Sequence, residues 1–499
     1  MFLGVDIGSS GVKAILLDPE RGVVASAARP VELHSPHPGW AEADTGDWWR
    51  AVCELVPELL TGADVDAGAV QGVAAAGMVP AVIALDDRGR PLRRAILQND
   101  ARAVAELDEL HAELADVDVL PRTGSALTQQ SLAPTLRWLR AHEPDVLSAT
   151  ATLGGSYDWL ARALGAEPHV ERNWAIESGL FELDGETLFA EVVEAAAITP
   201  DLLPAVRSPG TAAGAVSDAA ARETGLRAGT PIVTGIADHV SSAYGAGLLA
   251  PGDWLVKLGG AGDILVVSSD PLIDARLYLD AYPREPLWLP NGCMATSGSL
   301  VRWLQRLVGD APLDVLDAEA ADVAPGADGV VCLPYFLGEK SPLHDPRQRG
   351  AFVGLHLGHS RAHLYRAALE AVAFGFRHHA DVFEERGVRL GPARVTNGGS
   401  RSTLWKQIIA DVLGRPLEPV ADHPGAALGA AMAAAVGTGA VGGWDAIEPL
   451  VRLDAPIEPR AEHTARYDEL YAVYRELEPA LRPFAHRLAG SPDAEAALA

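Results

Sequence analysis

Two apolar runs open the chain, Phe2 to Ile7 and Val12 to Leu17, joined by the polar turn Gly8-Ser9-Ser10-Gly11, and this blocked pattern predicts a β-hairpin. The same frame returns 251 residues later. Trp254 to Leu258 and Ile264 to Val267 flank Gly259-Gly260-Ala261-Gly262, so Gly259 matches Gly8, Gly262 matches Gly11, and Lys257 falls where Asp6 stands. A unit repeated at half the chain length implies two homologous domains facing each other. Chance recurrence of short turns in a chain with 50 glycines is the competing explanation on this feature alone.

Between and beyond the hairpins, strand and helix periodicities alternate. Thr45 to Leu60 predicts a helix with Asp44 at its N-cap and Asp47 in its first turn, while Val70 to Ala75 and Ala81 to Leu85 predict strands followed by the turn Asp86-Asp87-Arg88-Gly89. Short helices are expected at Pro134 to His142 and Trp159 to Leu164. Residues 201–231, rich in Pro, Gly and Thr, mark an expected domain boundary before the apolar strand that starts at Pro231. In the second half, Ala362 to Glu385, Leu404 to Leu413, Ala426 to Val436 and Ala465 to Leu488 predict helices, with a brief strand at Arg394 to Thr396. Such interleaving argues for an α/β fold. The expected division is a first domain over 1–245, a second over 246–488, and a frayed tail over 489–499.

Charge and composition narrow the partners. Forty basic against 67 acidic residues give a net charge of −27 over 499 residues, which argues against a nucleic-acid backbone or an anionic membrane as the partner. With 48% apolar and 21% charged residues the chain can bury several compact cores. The three cysteines, Cys53, Cys293 and Cys332, are far apart with no CxxC pair, so neither a disulfide framework nor a structural metal is expected. No basic and apolar leader precedes the strand at Phe2, and the chain is read as cytoplasmic. The charge-free stretch 423–444 is long enough to span a bilayer, but its alanines and glycines suit a tightly packed buried helix ended by Gly437 and Gly439.

Three segments carry chemistry. Glycine turns let backbone N–H groups approach phosphate oxygens, and the first hairpin adds Ser9, Ser10 and Lys13 as side-chain donors. Neither GxxxxGK[ST] nor a GxGxxG opening a helix is present. Asp6 either holds Mg²⁺ through water or caps its own turn. Asp238, where the strand end that starts at Thr234 leads into a small-residue helix, is either an N-cap or a carboxylate placed where open α/β sheets put catalytic groups; its neighbour His239 also reads as a hydrogen-bonded, half-buried side chain. Finally, Val395 to Gly414 reads as strand, Gly398-Gly399 turn, Ser-capped helix and glycine stop, a place for a base or ribose against bare backbone.

This last segment, followed by Ala426 to Ala431, resembles the C-terminal signature of the FGGY carbohydrate kinases, and Gly39 to Asp44, Gly89 to Asp100 and Leu333 to Gly350 resemble family segments in family order. The resemblance implies two ribonuclease-H-like, actin-like ATPase domains flanking a deep cleft, with ATP and Mg²⁺ as cofactors. It implies phosphorylation of a primary hydroxyl on a small sugar, a ketopentose such as xylulose. By the same resemblance Gly8 to Gly11 and Gly259, Gly260, Ala261 and Gly262 bind phosphate, Asp6 places Mg²⁺, and Gly398, Gly399 and Gln407 border the adenosine. Asp238 corresponds to the catalytic base, with His239, Met78, Val79, Asn99 and Asp100 at the sugar. Three departures stand out: Gly77-Met78-Val79 replaces a Gln-Met-His run, Gly259-Gly260-Ala261 replaces Gly-Thr-Ser, and His239 stands where Asn or Gln is commoner. A glycerol kinase-like polyol kinase and a non-catalytic nucleotide sensor are the alternative functions, and a homodimer is left open. All four lysines of the chain, Lys13, Lys257, Lys340 and Lys406, fall in the segments named above.

Overall fold

The computed structural model describes residues 1–490. In the first half, β1 (Phe2–Ile7), β2 (Gly11–Asp18) and β3 (Gly22–Pro30) form an antiparallel meander. Four further strands complete this sheet: β4 (Gly72–Gly77), β5 (Ala212–Ala215), β6 (Pro231–Val233) and β7 (Ile236–Ala237). The order is β5-β6-β4-β1-β2-β3, with β7 also on β4. The second half repeats the plan with β8 (Trp254–Leu258), β9 (Gly262–Val266), β10 (Tyr278–Ala281), β11 (Trp288–Met294), β12 (Ala393–Thr396) and β13 (Leu417–Pro419), in the order β10-β11-β9-β8-β12-β13. In each sheet a parallel strand lies on the open side of the first hairpin strand, β4 beside β1 and β12 beside β8. The repeat seen in two glycine turns therefore extends to the topology of both halves.

Seven helices matter to the site: α1 (Thr45–Gly62), α2 (Arg172–Ser178), α3 (Asp238–Gly245), α4 (Arg361–Glu385), α5 (Thr403–Leu413), α6 (Ala426–Gly437) and α7 (Ala461–Ala489). Asp44 caps α1 by accepting the Gly46 amide at 2.8 Å, and Ser402 caps α5 by accepting the Trp405 amide at 3.0 Å. The pleat of β8 divides its residues between two cores. Trp254, Val256 and Leu258 pack with α4 and α5 residues, whereas Leu255 packs with the first half.

Two features depart from the sequence reading. Residues 201–231 are no boundary: Ala212–Ala215 and Pro231–Val233 are strands of the first sheet, with β5 on its edge, where a strand tolerates Gly and Pro. Packing also does not follow one cut at 245/246, because α6 crosses back to lie on β1 and β4, and Ile447 joins the same core. The alanines and glycines of α6 serve that crossing. They let its backbone come so close to β1 that a Cβ at Gly4 would collide with the Ala427 carbonyl and the Ala431 side chain. Among the described residues no helix is long and apolar enough to cross a membrane. Ala489 still belongs to α7, and the rest of the expected tail from 491 lies outside the described residues.

Gly4→Ala is expected to lower unfolding free energy by about 1–3 kcal/mol, through overpacking between β1 and α6. Urea denaturation beside the exposed control Ala28→Gly checks this; a change below about 0.5 kcal/mol for Gly4→Ala would show that α6 can retreat without cost.

Candidate active site

The parallel register of the first sheet sets the site. Asp6 lies opposite Ala76 on β4, and Ile236 lies opposite the same Ala76, so β1 and β7 end together and present Asp6 and Asp238 on one edge. Asp238 is not an N-cap: Ala237 holds that position, and Asp238 is the first residue of α3 with no cap hydrogen bond. From the second sheet β8 brings Lys257, whose ammonium sits 3.3 Å from Asp263 across the hairpin.

These charges depend on one another. Burial first, then Asp238, push the Asp6 carboxyl up to about 7, against the pull of Lys257 and Lys13. Burial works against the Lys257 ammonium, but Asp263, Asp238 and Asp6 outweigh it and hold its pKa above the usual range. Asp263 is held below the usual carboxylate range, because Lys257 and a Cys293 hydrogen bond overcome its burial.

The two turns flank this group. In the first, the Gly8 amide donates to the Gly11 carbonyl at 2.9 Å, leaving Ser9 half-buried and Ser10 exposed. In the second, the Gly259 carbonyl accepts from the Gly298 amide at 2.8 Å, and the Gly260 carbonyl accepts from the amides of Ser297 at 2.8 Å and Ser299 at 3.1 Å. A trans peptide points its N–H opposite its C=O, so these bonds aim the Gly260 and Ala261 amides away from the 298–307 helix and into the cleft.

The second turn also separates two cavities. On one side a cavity of about 650 Å³ is bordered by Gly259, Gly260, Gly398, Gly399, Tyr365 and Trp405. On the other, a cavity of about 260 Å³ is bordered by Ala261, Lys257, Asp238, His239, Val79 and Asn99. A Cβ at Gly260 or at Gly398 would meet nothing within 4 Å, so both positions leave backbone bare toward open space. The geometry is that of a phosphotransferase cleft: a glycine-walled chamber, a phosphate turn, and a small polar chamber with a carboxylate beside the turn.

The comparisons with known proteins agree. Residues 1–245 match the FGGY family of carbohydrate kinases, N-terminal domain, and residues 256–438 match its C-terminal domain. The chain belongs to this family. It is a carbohydrate kinase, an enzyme that phosphorylates a sugar at the expense of ATP, which sets the sensor reading aside. The crystal structure of xylulose kinase from Rhodospirillum rubrum superposes with a TM-score of 0.90 at 45% identity, covering 97% of this chain and 99% of that one. Xylulose kinase of Escherichia coli K12 is 29% identical over 97% of this chain and 99% of its own length. Autoinducer-2 kinase of Yersinia enterocolitica is 31% identical, covering 93% and 92%.

Three expected site residues lie elsewhere. Gln407 donates to Asp411 at 2.9 Å and to the Glu458 carbonyl at 3.0 Å and borders a neighbouring cavity; two residues along α5 from Trp405 it is turned about 200° from the glycine chamber. Met78 is buried in the first core beside Val79, which does face the small chamber. Asp100 is buried against Arg102 at 2.7 Å and accepts the Ala41 amide at 2.6 Å, as counter-charge to a guanidinium stacked on Trp40. Lys13 is the cross-strand partner of Asp6 on the same face of the first hairpin, and it also borders a third cavity with His423.

Other residues of the small chamber went unread: Glu177, Asp263, Asn291 and Gln98. Asp263 follows the matched Gly262 and was within reach of the repeat. Lys340 lies in the family-like segment Leu333 to Gly350 and is one of the four lysines, with no role assigned to it by either signal. Glu177 sits on a seven-residue helix with no pattern to expose it. Donor atoms of Glu177, His239 and Asp280 lie within 4.8 Å of one another. Both nitrogens of His239 face carboxylates, so the group is an ion-pair cluster and not a vacant metal centre.

Gly260→Ala and Gly398→Ala are expected to fold with unchanged melting temperature and to raise KM for ATP on the order of 10-fold, since the added methyl stands where only ligand comes. Steady-state kinetics beside thermal melting checks this. An unchanged KM in both variants would remove the larger chamber from nucleotide binding.

Proposed function

We propose that this kinase transfers the γ-phosphoryl group of ATP to a primary hydroxyl of a small neutral ketose, a ketopentose such as xylulose, with adenosine in the larger chamber and sugar in the smaller. The observation that carries this reading is the second turn, whose glycines border one chamber while Ala261 borders the other beside Asp238. Support for xylulose comes from the names of the similar proteins, the Rhodospirillum rubrum structure above all.

Asp238 accepts the proton of the attacking hydroxyl as the P–O bond forms, a task for an ordinary carboxylate in a loose transition state. The Gly260 and Ala261 amides, with Gly8 to Gly11 and Lys13, hold the phosphates, and Lys257 carries positive charge between Asp6 and Asp238 toward the transferring group. Backbone donors in the second turn replace the hydroxyls that Gly260 and Ala261 lack. Asp6 suits Mg²⁺: its carboxyl is raised to about 7 by burial and a second carboxylate, the imbalance that a dication relieves. Bound there through water, Mg²⁺ would neutralise polyphosphate charge. Val79 offers an apolar wall where a polar contact was expected, while Asn99, Gln98 and Lys340 provide the polar contacts to the sugar. Its need for ATP supports the reading of a cytoplasmic reaction.

A coupled ADP-release assay over pentuloses, hexuloses and polyols is expected to give its highest kcat/KM with xylulose; highest activity with glycerol would transfer the assignment to a polyol kinase. Asp238→Ala should lower kcat by about 10³-fold with ATP affinity unchanged. Near-normal turnover in that variant would take Asp238 out of the mechanism.

A further inference from the structure

Asp238 is the first residue of α3, and the next side chain on that helix, His239, is placed to orient its carboxylate. Its ring nitrogen Nδ1 stands 3.4 Å from Asp238 Oδ1. The opposite ring nitrogen, Nε2, is 2.8 Å from Asp280 Oδ2, and the same oxygen accepts from Asn291 Nδ2 at 2.7 Å. Asp280 is 1% exposed and lies on β10, the edge strand of the second sheet, with Asn291 on neighbouring β11.

That edge strand is the seam between the halves. The Leu279 amide donates to Ser125 Oγ at 3.0 Å, and Asn173 on α2 clamps Ala281, donating to its carbonyl at 3.0 Å and accepting its amide at 2.8 Å. Asp280 lies between these anchors, so its position is set from both sides. The second sheet, through β8 and β9, also carries the 259–262 turn. A contact chain therefore runs from that sheet through Asn291, Asp280 and His239 to Asp238.

We propose that His239 and Asp280 form a positioning pair that fixes the Asp238 carboxylate relative to the phosphate turn of the opposite sheet, leaving its second oxygen for the acceptor hydroxyl. This rests on the reading of Asp238 as the proton acceptor. His239 is then committed to two carboxylates and is not the sugar contact that its place in the sequence suggests. The groups facing its ring are Asp238 on α3, Asp280 on β10, Glu177 on α2 at 3.8 Å, and Asp263 on β9 at longer range. Together these carboxylates overcome burial and hold the imidazole charged well above its usual range.

The test compares His239→Ala, His239→Asn and Asp280→Asn with the unaltered enzyme and with Asp238→Ala, following ADP release at saturating acceptor from pH 5.5 to 9. His239→Ala and Asp280→Asn are expected to lower kcat on the order of 10- to 100-fold with both KM values within about threefold. His239→Asn, which keeps an uncharged donor toward Asp238, should recover most of that loss. Asp280→Asn should bring an alkaline fall in kcat down into the assayed range, because the histidine loses the strongest of the carboxylates that keep it protonated, and this fall should vanish in the His239→Asn/Asp280→Asn double variant. Thermal melting identifies a variant that fails to fold, and the isosteric Asp280→Asn then decides. A loss confined to acceptor KM would make His239 a sugar contact, and an unchanged pH profile in Asp280→Asn would overturn the pairing. If Asp238→Ala is inactive while His239→Ala and Asp280→Asn turn over normally, only this inference falls; if Asp238→Ala remains active, the reading of Asp238 falls first.

Discussion

Asp6, Lys257 and Asp263 meet the partly exposed Asp238 where strands of both sheets end, and each of the first three is a largely enclosed charge that depends on its neighbours. A carboxylate moved out of water costs several kcal/mol unless a partner offsets it. Lys257 supplies that partner from the second sheet, and the three carboxylates around it outweigh the burial that works against its charge. The facing of the two halves is therefore an electrostatic requirement as well as a packing one. Removing either hairpin would strand the charges of the other.

Packing makes the same demand at the base of the cleft. β8 sends alternate side chains into two cores, α6 returns from the second half to cover β1, and β10 is stitched by Ser125 and Asn173 of the first half. With three such crossings the halves share their foundations, and the turns above them are aimed at a common point. The chambers follow from this: small residues at 259, 260, 398 and 399 leave room for a nucleotide, while charged and amide side chains crowd the other side of the turn.

Much of this was legible beforehand. The hairpins, the long helix near 362–385, the capped helix after Gly398-Gly399 and the alanine helix at 426 all stand within a few residues of their predicted places. Their signals are local: a glycine turn, a cap, a period of hydrophobic positions. Errors arose where local composition pointed one way and an edge strand or a buried neighbour the other. Residues 201–231 look like a linker because an exposed edge tolerates Gly and Pro, and Asp100 looks like a sugar ligand because nothing in its own segment announces that Arg102 needs a buried counter-charge.

The sequence by itself determined the repeat, the glycine turns and the carboxylate at position 238, since each depends on residues adjacent along the chain. Only the tertiary structure decided which side of its helix Gln407 occupies, that α6 belongs to the opposite core, and that Asp280 stands behind His239. Residues 239 and 280 are 41 apart, one on the helix that follows β7 of the first sheet and the other on β10 of the second. Their meeting is a property of how two pleated surfaces close on each other, and no periodicity along one strand encodes it.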